Sequence, residues 1–320
     1  MSSTGTKTTI SYFHEVPGTL SHTPTHLAIL GFGTASTTLA KNLRGRGPAT
    51  IRVWKRQPWN DELQSMATTM GVTVCDTPQA AIEPADLIFS LVPPDAAVQV
   101  AEAAANHIRG KSYLDLNAAS LRAIEKAEAS IRAGGGEFTD GAIMGPLGRQ
   151  LHRVSTVVSG PQADKVARLL CGWDMQVRAI SPRVGLASTV KMIRSVYTKG
   201  IEGIVLECLS AAHLFDATEE VLESLEEILE LGPFLLPLRE MFNELLAEQV
   251  EHAPRRAAEM EQVVKTLEQI QVEPRMSRGT LTTLQKIAQK AELAKDFSGK
   301  PDVSPGSILA AIARVAGPDR

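Results

Sequence analysis

The stretch His26-Leu-Ala-Ile-Leu-Gly31-Phe-Gly33-Thr-Ala-Ser36-Thr-Thr-Leu-Ala-Lys-Asn-Leu43 decides the fold of this chain. His26 to Leu30 is a short apolar run with strand character, and Thr37 to Leu43 carries its apolar residues at helical spacing. A strand, a tight glycine turn and a helix form the opening of a dinucleotide-binding βαβ unit. Gly31 permits the turn and Gly33 lets a pyrophosphate approach the backbone, with Phe32, Thr34 and Ala35 completing the loop. The helix start beyond it offers unpaired N–H groups and positive dipole charge to phosphates. Ser36 stands where a third glycine is usual and is small enough for close helix–strand packing.

The same alternation continues outward from this loop. Thr50 to Trp54 is a second strand, ending in Lys55-Arg56-Gln57. An acid at that place holds a ribose 2′-hydroxyl, whereas an arginine accommodates a 2′-phosphate. Two cations there predict NADP(H) in preference to NAD(H), the alternative being a basic surface turn. Val72 to Cys75 reads as a strand, and Thr77 to Ile82 as a short helix opened by a cap and a proline. Asp86 to Val92 is a buried-strand candidate, Asp95 to His107 a helix, Ser112 to Leu116 a strand and Ala119 to Ala133 a helix. This pattern predicts a doubly wound α/β domain of Rossmann type, with a parallel sheet covered on both faces. Ligands on such sheets bind at the C-terminal strand ends, which here are Leu91-Val92-Pro93-Pro94 and Asn117.

Strands stop at about residue 184. A long helix runs past Lys191 to Phe215, and Thr218–Leu231, 233–251, 254–270 and 277–294 read as successive helices. The expected organisation is a flexible tail over 1–24, a nucleotide-binding domain over 25–183 and an all-α domain over 184–320. A helix that long needs partners along its whole length, so a homodimer through the all-α domain is expected.

Composition excludes several classes of function. The 320 residues suffice for two domains, and a net charge of −3 at a pI near 6.2 indicates no broad attraction to nucleic acid or anionic membrane. Cys75, Cys171 and Cys208 lack metal-binding spacing and are expected to be reduced, buried thiols. No apolar run approaches a membrane span, and residues 1–24 lack both a secretory core and any arginine. Cytoplasm is the expected compartment, and a small molecule the expected partner.

The run from His26 to about residue 295 resembles the β-hydroxyacid and 6-phosphogluconate dehydrogenase superfamily, in particular the branch with a phosphogluconate dehydrogenase-like C-terminal domain. The carrying motifs are Gly31-Phe-Gly33, Ser90-Leu-Val-Pro-Pro94, Asp115-Leu-Asn117-Ala-Ala-Ser120, Phe138-Thr-Asp140-Gly-Ala-Ile-Met-Gly145-Pro146 and Gly185-Leu-Ala-Ser-Thr-Val-Lys191. The resemblance implies that Lys191 is the catalytic lysine, handling the alcohol proton while hydride moves between substrate carbon and nicotinamide. Asn117 would lie near the nicotinamide ribose or substrate hydroxyl, and Gly145 would present its N–H to a polar substrate group.

Two departures bear on the substrate. Met144-Gly145-Pro146 stands where many members carry Ser-Gly-Gly, removing a carboxylate-binding hydroxyl, and Pro146 has no N–H to donate. Ser195 stands four residues after the lysine where Asn is usual. Both point away from a simple 3-hydroxy acid. His252, Arg256 and Glu259 share a predicted helix face, read either as a solvated helix start or as a face closing over substrate. Arg194 and Lys199 flank the lysine as substrate or interface charges. The reading is an NADP-dependent dehydrogenase acting on a CH–OH group of a small hydroxyacid-like molecule. The alternatives are an imine reductase, which generally has another residue at the lysine position, and a non-catalytic NADPH sensor.

Overall fold

A computed structural model of the chain describes residues 25–289 and Ala310. The tail over 1–24 and the end of the last predicted helix lie outside the described residues. The described residues fall into two compact units, divided between Val196 and Tyr197.

The first unit is built on an eight-stranded sheet. Its elements are β1 (His26–Leu30), α1 (Thr34–Leu43), β2 (Thr50–Trp54), α2 (Asp61–Met70), β3 (Thr73–Cys75), α3 (Pro78–Ile82) and β4 (Leu87–Ser90), then α4 (Ala97–Ala105), β5 (Ser112–Asp115), α5 (Leu121–Ala133) and β6 (Glu137–Ile143). It closes with α6 (Leu147–Gln150), β7 (Thr156–Ser159), α7 (Ala163–Cys171), β8 (Val177–Ser181) and the start of α8 (Leu186–Leu214). The strand order is β3-β2-β1-β4-β5-β6-β7-β8. It reverses between β1 and β4, which is where such sheets open a crevice for a ligand.

Both sheet faces are dry. Leu27 and Ile29 of β1 join Leu87 and Phe89 of β4 in one apolar cluster, while Ala28, Leu30, Ile88 and Tyr113 join the opposite one. Strands buried on both sides are apolar at nearly every position, which is why they read as near-continuous runs. The sheet departs from the expected all-parallel form at its far edge. β7 pairs antiparallel to β6, and β8 pairs parallel to β7. The β6–β7 connection holds the one-turn α6 and a 3-10 turn over Leu151–Arg153, neither long enough to carry the chain back across the sheet, so β7 returns beside β6.

The second unit holds the rest of α8, then α9 (Thr218–Leu229), α10 (Leu238–Gln269) and α11 (Arg275–Ala288). Helices α10 and α11 enclose Ala253, Leu284 and Ile287. Glu207 of α8 accepts from the N–H groups of Met276 and Ser277 at 2.8 and 3.0 Å, satisfying the exposed start of α11. The predicted break at Pro254 does not occur, because that proline lies inside α10. Interior proline removes a helix hydrogen bond. Here Arg256 reaches back across that turn to Glu248 at 2.6 Å and Gln249 at 3.1 Å, and Arg255 pairs with Glu259.

The cysteines differ from expectation. Cys75 is buried, Cys208 is half-buried, and Cys171 is exposed because it occupies the last residue of α7.

Candidate active site

The expected cofactor residues converge at the β1/β4 crevice. Gly31 has φ +113°, and its N–H donates to the Trp54 carbonyl at 2.7 Å. A Cβ at Gly31 would overlap the Leu91 carbonyl oxygen and stand 2.7 Å from its carbon. Only glycine lets the β1 turn pass the end of β4 so closely. Gly33 differs in kind. It is the N-cap of α1 with ordinary extended backbone and no side-chain cap, and a Cβ there would meet nothing within 4 Å. The first N–H groups of α1, beginning at Thr34 and Ala35, have no intrahelical partners next to that open space. A diphosphate fits this cradle, since it needs donors and room. Ser36 is buried and donates to the Leu91 carbonyl at 3.3 Å, giving the close helix–strand packing expected of it.

Lys55 and Arg56 follow the end of β2, beside this loop. The Lys55 amine donates to the Pro58 carbonyl at 2.6 Å and lies 5.4 Å from the centre of the Trp59 ring, whose other neighbour is Phe32. Arg56 is exposed and donates to Gln99 at 3.1 Å.

Asn117 is 6 % exposed and fully engaged. Its Oδ1 accepts from the Val92 N–H at 2.7 Å, and its Nδ2 donates to Ser90 Oγ at 2.8 Å and Asp115 Oδ2 at 3.0 Å. Its amide therefore clamps the Leu91-Val92-Pro93 turn to the end of β5, leaving one Oδ1 lone pair for anything else. The following residue, Ala118, is held at φ +52°, a strained value for a side chain with a Cβ.

Beyond Asn117 lies a feature that sequence reading missed. Strand register aligns Ser90 with Asp115, Asp115 with Asp140, and Asp140 with Ser159. All four are buried to 0 % exposure, forming a polar row across four strands of a largely apolar sheet. Burial pushes the Asp115 carboxyl up to about 7, with the Asp140 carboxyl adding to it and the Asn117 N–H opposing it. A signal existed, since Ser90, Asp115 and Ser159 each close an apolar strand with a polar residue.

Lys191 lies one turn into α8 and is half-buried. Burial, then the neighbouring Arg194 guanidinium, lowers the pKa of its amine below the ordinary lysine value. Arg194 donates to the Met144 carbonyl at 2.6 Å, which joins two expected substrate residues. The Ser195 hydroxyl donates to the Lys191 carbonyl at 2.9 Å, so it keeps only acceptor capacity. Gly145 is half-exposed, and a Cβ there would stand 3.1 Å from Val154. Pro146 caps α6. His252 is half-buried on α10 in the second unit, and the Arg256 beside it is paired with Glu248 rather than Glu259. Among the described residues, no group of three or more His, Cys, Asp or Glu is placed to hold a metal, and no helix is long and apolar enough to cross a membrane.

The sheet order and the glycine cradle at its switch point define a dinucleotide-binding fold, and comparison with known proteins makes it that of an NAD(P)-dependent oxidoreductase. Residues 26–119 match the family described as NADP oxidoreductase coenzyme F420-dependent, and residues 212–287 match a domain of unknown function, DUF1932. An uncharacterized 28.5 kDa protein of Methanothermus fervidus is 30% identical over 201 residues, 63% of this chain and 76% of that one. A conserved protein of unknown function, described as structurally similar to 3-hydroxyacid dehydrogenases, is 29% identical with a TM-score of 0.56, covering 84% of this chain and 98% of that one. An imine reductase from Myxococcus stipitatus shares the fold at TM-score 0.70 and 17% identity, covering 91% and 99%, and its structures hold NAD+ in a variant and NADP+ in another form. The chain belongs to the same family as the Methanothermus protein, within the 6-phosphogluconate dehydrogenase-like superfamily.

Proposed function

We propose that the protein moves a hydride between NADP(H) and the alcohol or ketone carbon of a small polar, hydroxyacid-like substrate, with Lys191 exchanging the hydroxyl proton. The observation that carries this reading is the Lys191 amine, half-buried and held below its ordinary pKa by burial and Arg194. A general acid–base group works best when its pKa lies near the operating pH, and an ordinary lysine lies far above it. When bound, the nicotinamide supplies or accepts the hydride. The protonated amine gives its proton to the oxygen of a ketone being reduced, and the neutral amine takes it back in the reverse direction.

The other residues bind and orient. The Gly31–Ala35 loop and the start of α1 would hold the pyrophosphate, and the Leu91-Val92-Pro93 turn across the β1/β4 crevice would meet the nicotinamide half. Asn117 sets that turn rather than donating to substrate, because its amide hydrogens are spent within the protein. Lys55 and Arg56, with no acid beside them at the end of β2, support NADP(H) over NAD(H). The Gly145 N–H and the Arg194 guanidinium, tied to the Met144 carbonyl, support an anionic or carbonyl group on the substrate. His252 and Arg256 are the second unit's candidates for substrate contact.

A homodimer through the helical unit belongs to the same reading. Leu206, Leu214 and Phe215 of that unit are 70%, 60% and 55% exposed, with Ile228, Leu229 and Leu235 also open. Monomers rarely leave so much contiguous-sequence apolar surface in water. Reduced thiols and an aqueous small-molecule substrate fit the cytoplasm.

The test is NADPH consumption against a panel of ketones, with and without amines, on the parent, Lys191→Ala and Lys191→Arg. Turnover of ketones alone, lowered roughly 10²–10⁴-fold in both variants with NADPH affinity retained, supports the reading. Turnover only when amine is present would make the protein an imine reductase. A fully active Lys191→Ala would remove the lysine from the chemistry.

A further inference from the structure

The start of α8 is not capped by a residue of its own segment. Its first orphan N–H groups are taken by side chains of the sheet: the Ala187 N–H donates to Ser159 Oγ at 2.9 Å, and the Ser188 N–H donates to Asp140 Oδ2 at 3.0 Å. The Ser188 hydroxyl donates to Asp140 Oδ1 at 2.5 Å, and the Ser159 hydroxyl donates to Asp140 Oδ2 at 3.0 Å. Three donors thus converge on one carboxyl group that is 0 % exposed, and Ala187 and Ser188 are themselves 0 % and 1 % exposed. Lys191 follows Ala187 by four residues and Ser188 by three, so it stands on the same helix face one turn further on.

The other end of the polar row holds the turn beside the dinucleotide loop. Asp115, the register partner of Asp140, receives the Asn117 N–H at 2.9 Å, and Asn117 in turn holds the Val92 N–H. Adjacent residues of paired strands sit roughly 5 Å apart and cannot slide independently. The Val92 turn and the base of the Lys191 helix are therefore pinned to neighbouring strands by two facing acids.

We infer that Asp140 is a positioning residue: with Ser159 and Ser188 it fixes the first turn of α8 to the sheet, and so sets where Lys191 stands relative to the Val92–Asn117 turn. The inference rests on the proposed role of Lys191 for its consequence in turnover, but its geometric content does not. A carboxyl group in this place accepts every donor that meets it. An amide of the same shape accepts at one atom only: with its oxygen toward the Ser188 N–H and the Ser159 hydroxyl, its NH2 group meets the Ser188 hydroxyl, which must turn from donor to acceptor and give up the short bond it makes to the carboxyl group.

Asp140→Asn and Ser188→Ala are the variants, in the full chain. Competitive acetylation with limiting acetic anhydride, read on the peptide carrying Lys191 across a pH series, gives the titration of that one amine. NADPH titration, the melting temperature and single-turnover hydride transfer accompany it. In Asp140→Asn the Lys191 titration is expected to rise toward that of ordinary lysines as the helix start loosens and hydrates. NADPH affinity should stay within about twofold, and hydride transfer should fall about tenfold to a hundredfold, the cost of a small displacement of a reacting group. Ser188→Ala, which keeps the backbone bond, should move both in the same direction by less. A lowered melting temperature with the Lys191 titration and turnover unmoved would make Asp140 merely structural and overturn the inference. Should Asp140→Asn not fold, an unmoved Lys191 titration in Ser188→Ala overturns it instead. A shifted titration together with a fully active Lys191→Ala would sink the catalytic role of the lysine while leaving the positioning intact.

Discussion

Gly31 and Gly33 belong to one motif, yet the structure gives them separable tasks, and alanine at each should fail in a different assay. At Gly31 the new Cβ would stand 2.7 Å from the Leu91 carbonyl carbon and 3.2 Å from Val92 Cγ1, on a backbone with φ +113°. Both neighbours belong to the β4 end, which Leu91 N–H anchors to the Leu30 carbonyl at 2.8 Å, so nothing flexible is available to yield. Overpacking of this kind costs about 1–3 kcal/mol, and a side chain forced into such a backbone region about 1–3 kcal/mol more. Against a total stability of about 5–15 kcal/mol the loss is large, and the melting temperature should fall by roughly 5–15 °C. At Gly33 the Cβ meets nothing and the backbone is unstrained, so losing glycine from the N-cap should cost less than about 1 kcal/mol. The Cβ would instead enter the space offered to the pyrophosphate, weakening NADPH at least about tenfold, or ~1.4 kcal/mol. Differential scanning fluorimetry of the cofactor-free proteins and an NADPH fluorescence titration separate the two effects. Gly31→Ala melting with the parent would refute the close approach of the turn to β4, and Gly33→Ala binding with parental affinity would place the pyrophosphate elsewhere.

Four further outcomes are expected. With the Lys191 amine titrating below ordinary lysines, ketone reduction should decline as pH rises through that lowered pKa and alcohol oxidation should increase; pH–rate profiles in both directions check this, and an alkaline limb at the ordinary lysine value contradicts it. The Asp115 carboxyl, raised to about 7 in the fold from 3.8, contributes stability that is complete below pH 4 and lost as pH climbs through 7. The melting temperature should therefore be higher at pH 5 than at pH 8, by the equivalent of on the order of 2–4 kcal/mol, and Asp115→Asn should flatten the slope; a rise across that window would be the wrong sign. Arg56→Ala should erase most of an NADPH preference of at least about tenfold, measured against NADH in the same titration. Light scattering at tens of micromolar should return a dimer, and a monomer there would leave the open side chains of α8 and α9 unexplained.

The parts of the molecule legible in the sequence were those governed by local pattern. The β1 turn shows itself because only glycine fits beside Leu91, and α3 because Thr77 accepts the Ala80 N–H at 3.1 Å ahead of Pro78. Strand β7 was not legible as antiparallel, since its direction depends on the length of α6 and not on its own residues. The same holds for α10. Proline is a sound stop signal, and the Arg256–Glu248 bridge that spans it joins residues eight apart that share a face only when the helix runs on unbroken. The polar row lies between these cases. Ser90, Asp115 and Ser159 each announce themselves as a polar residue ending an apolar strand, but they become one structure only through register, which links residues 19 to 25 positions apart. Lys191 could be singled out from its neighbours in the chain. Burial, then Arg194, lowers its amine pKa, while Asp140 and Ser159 hold the start of its helix, and those last two are brought to it by the sheet.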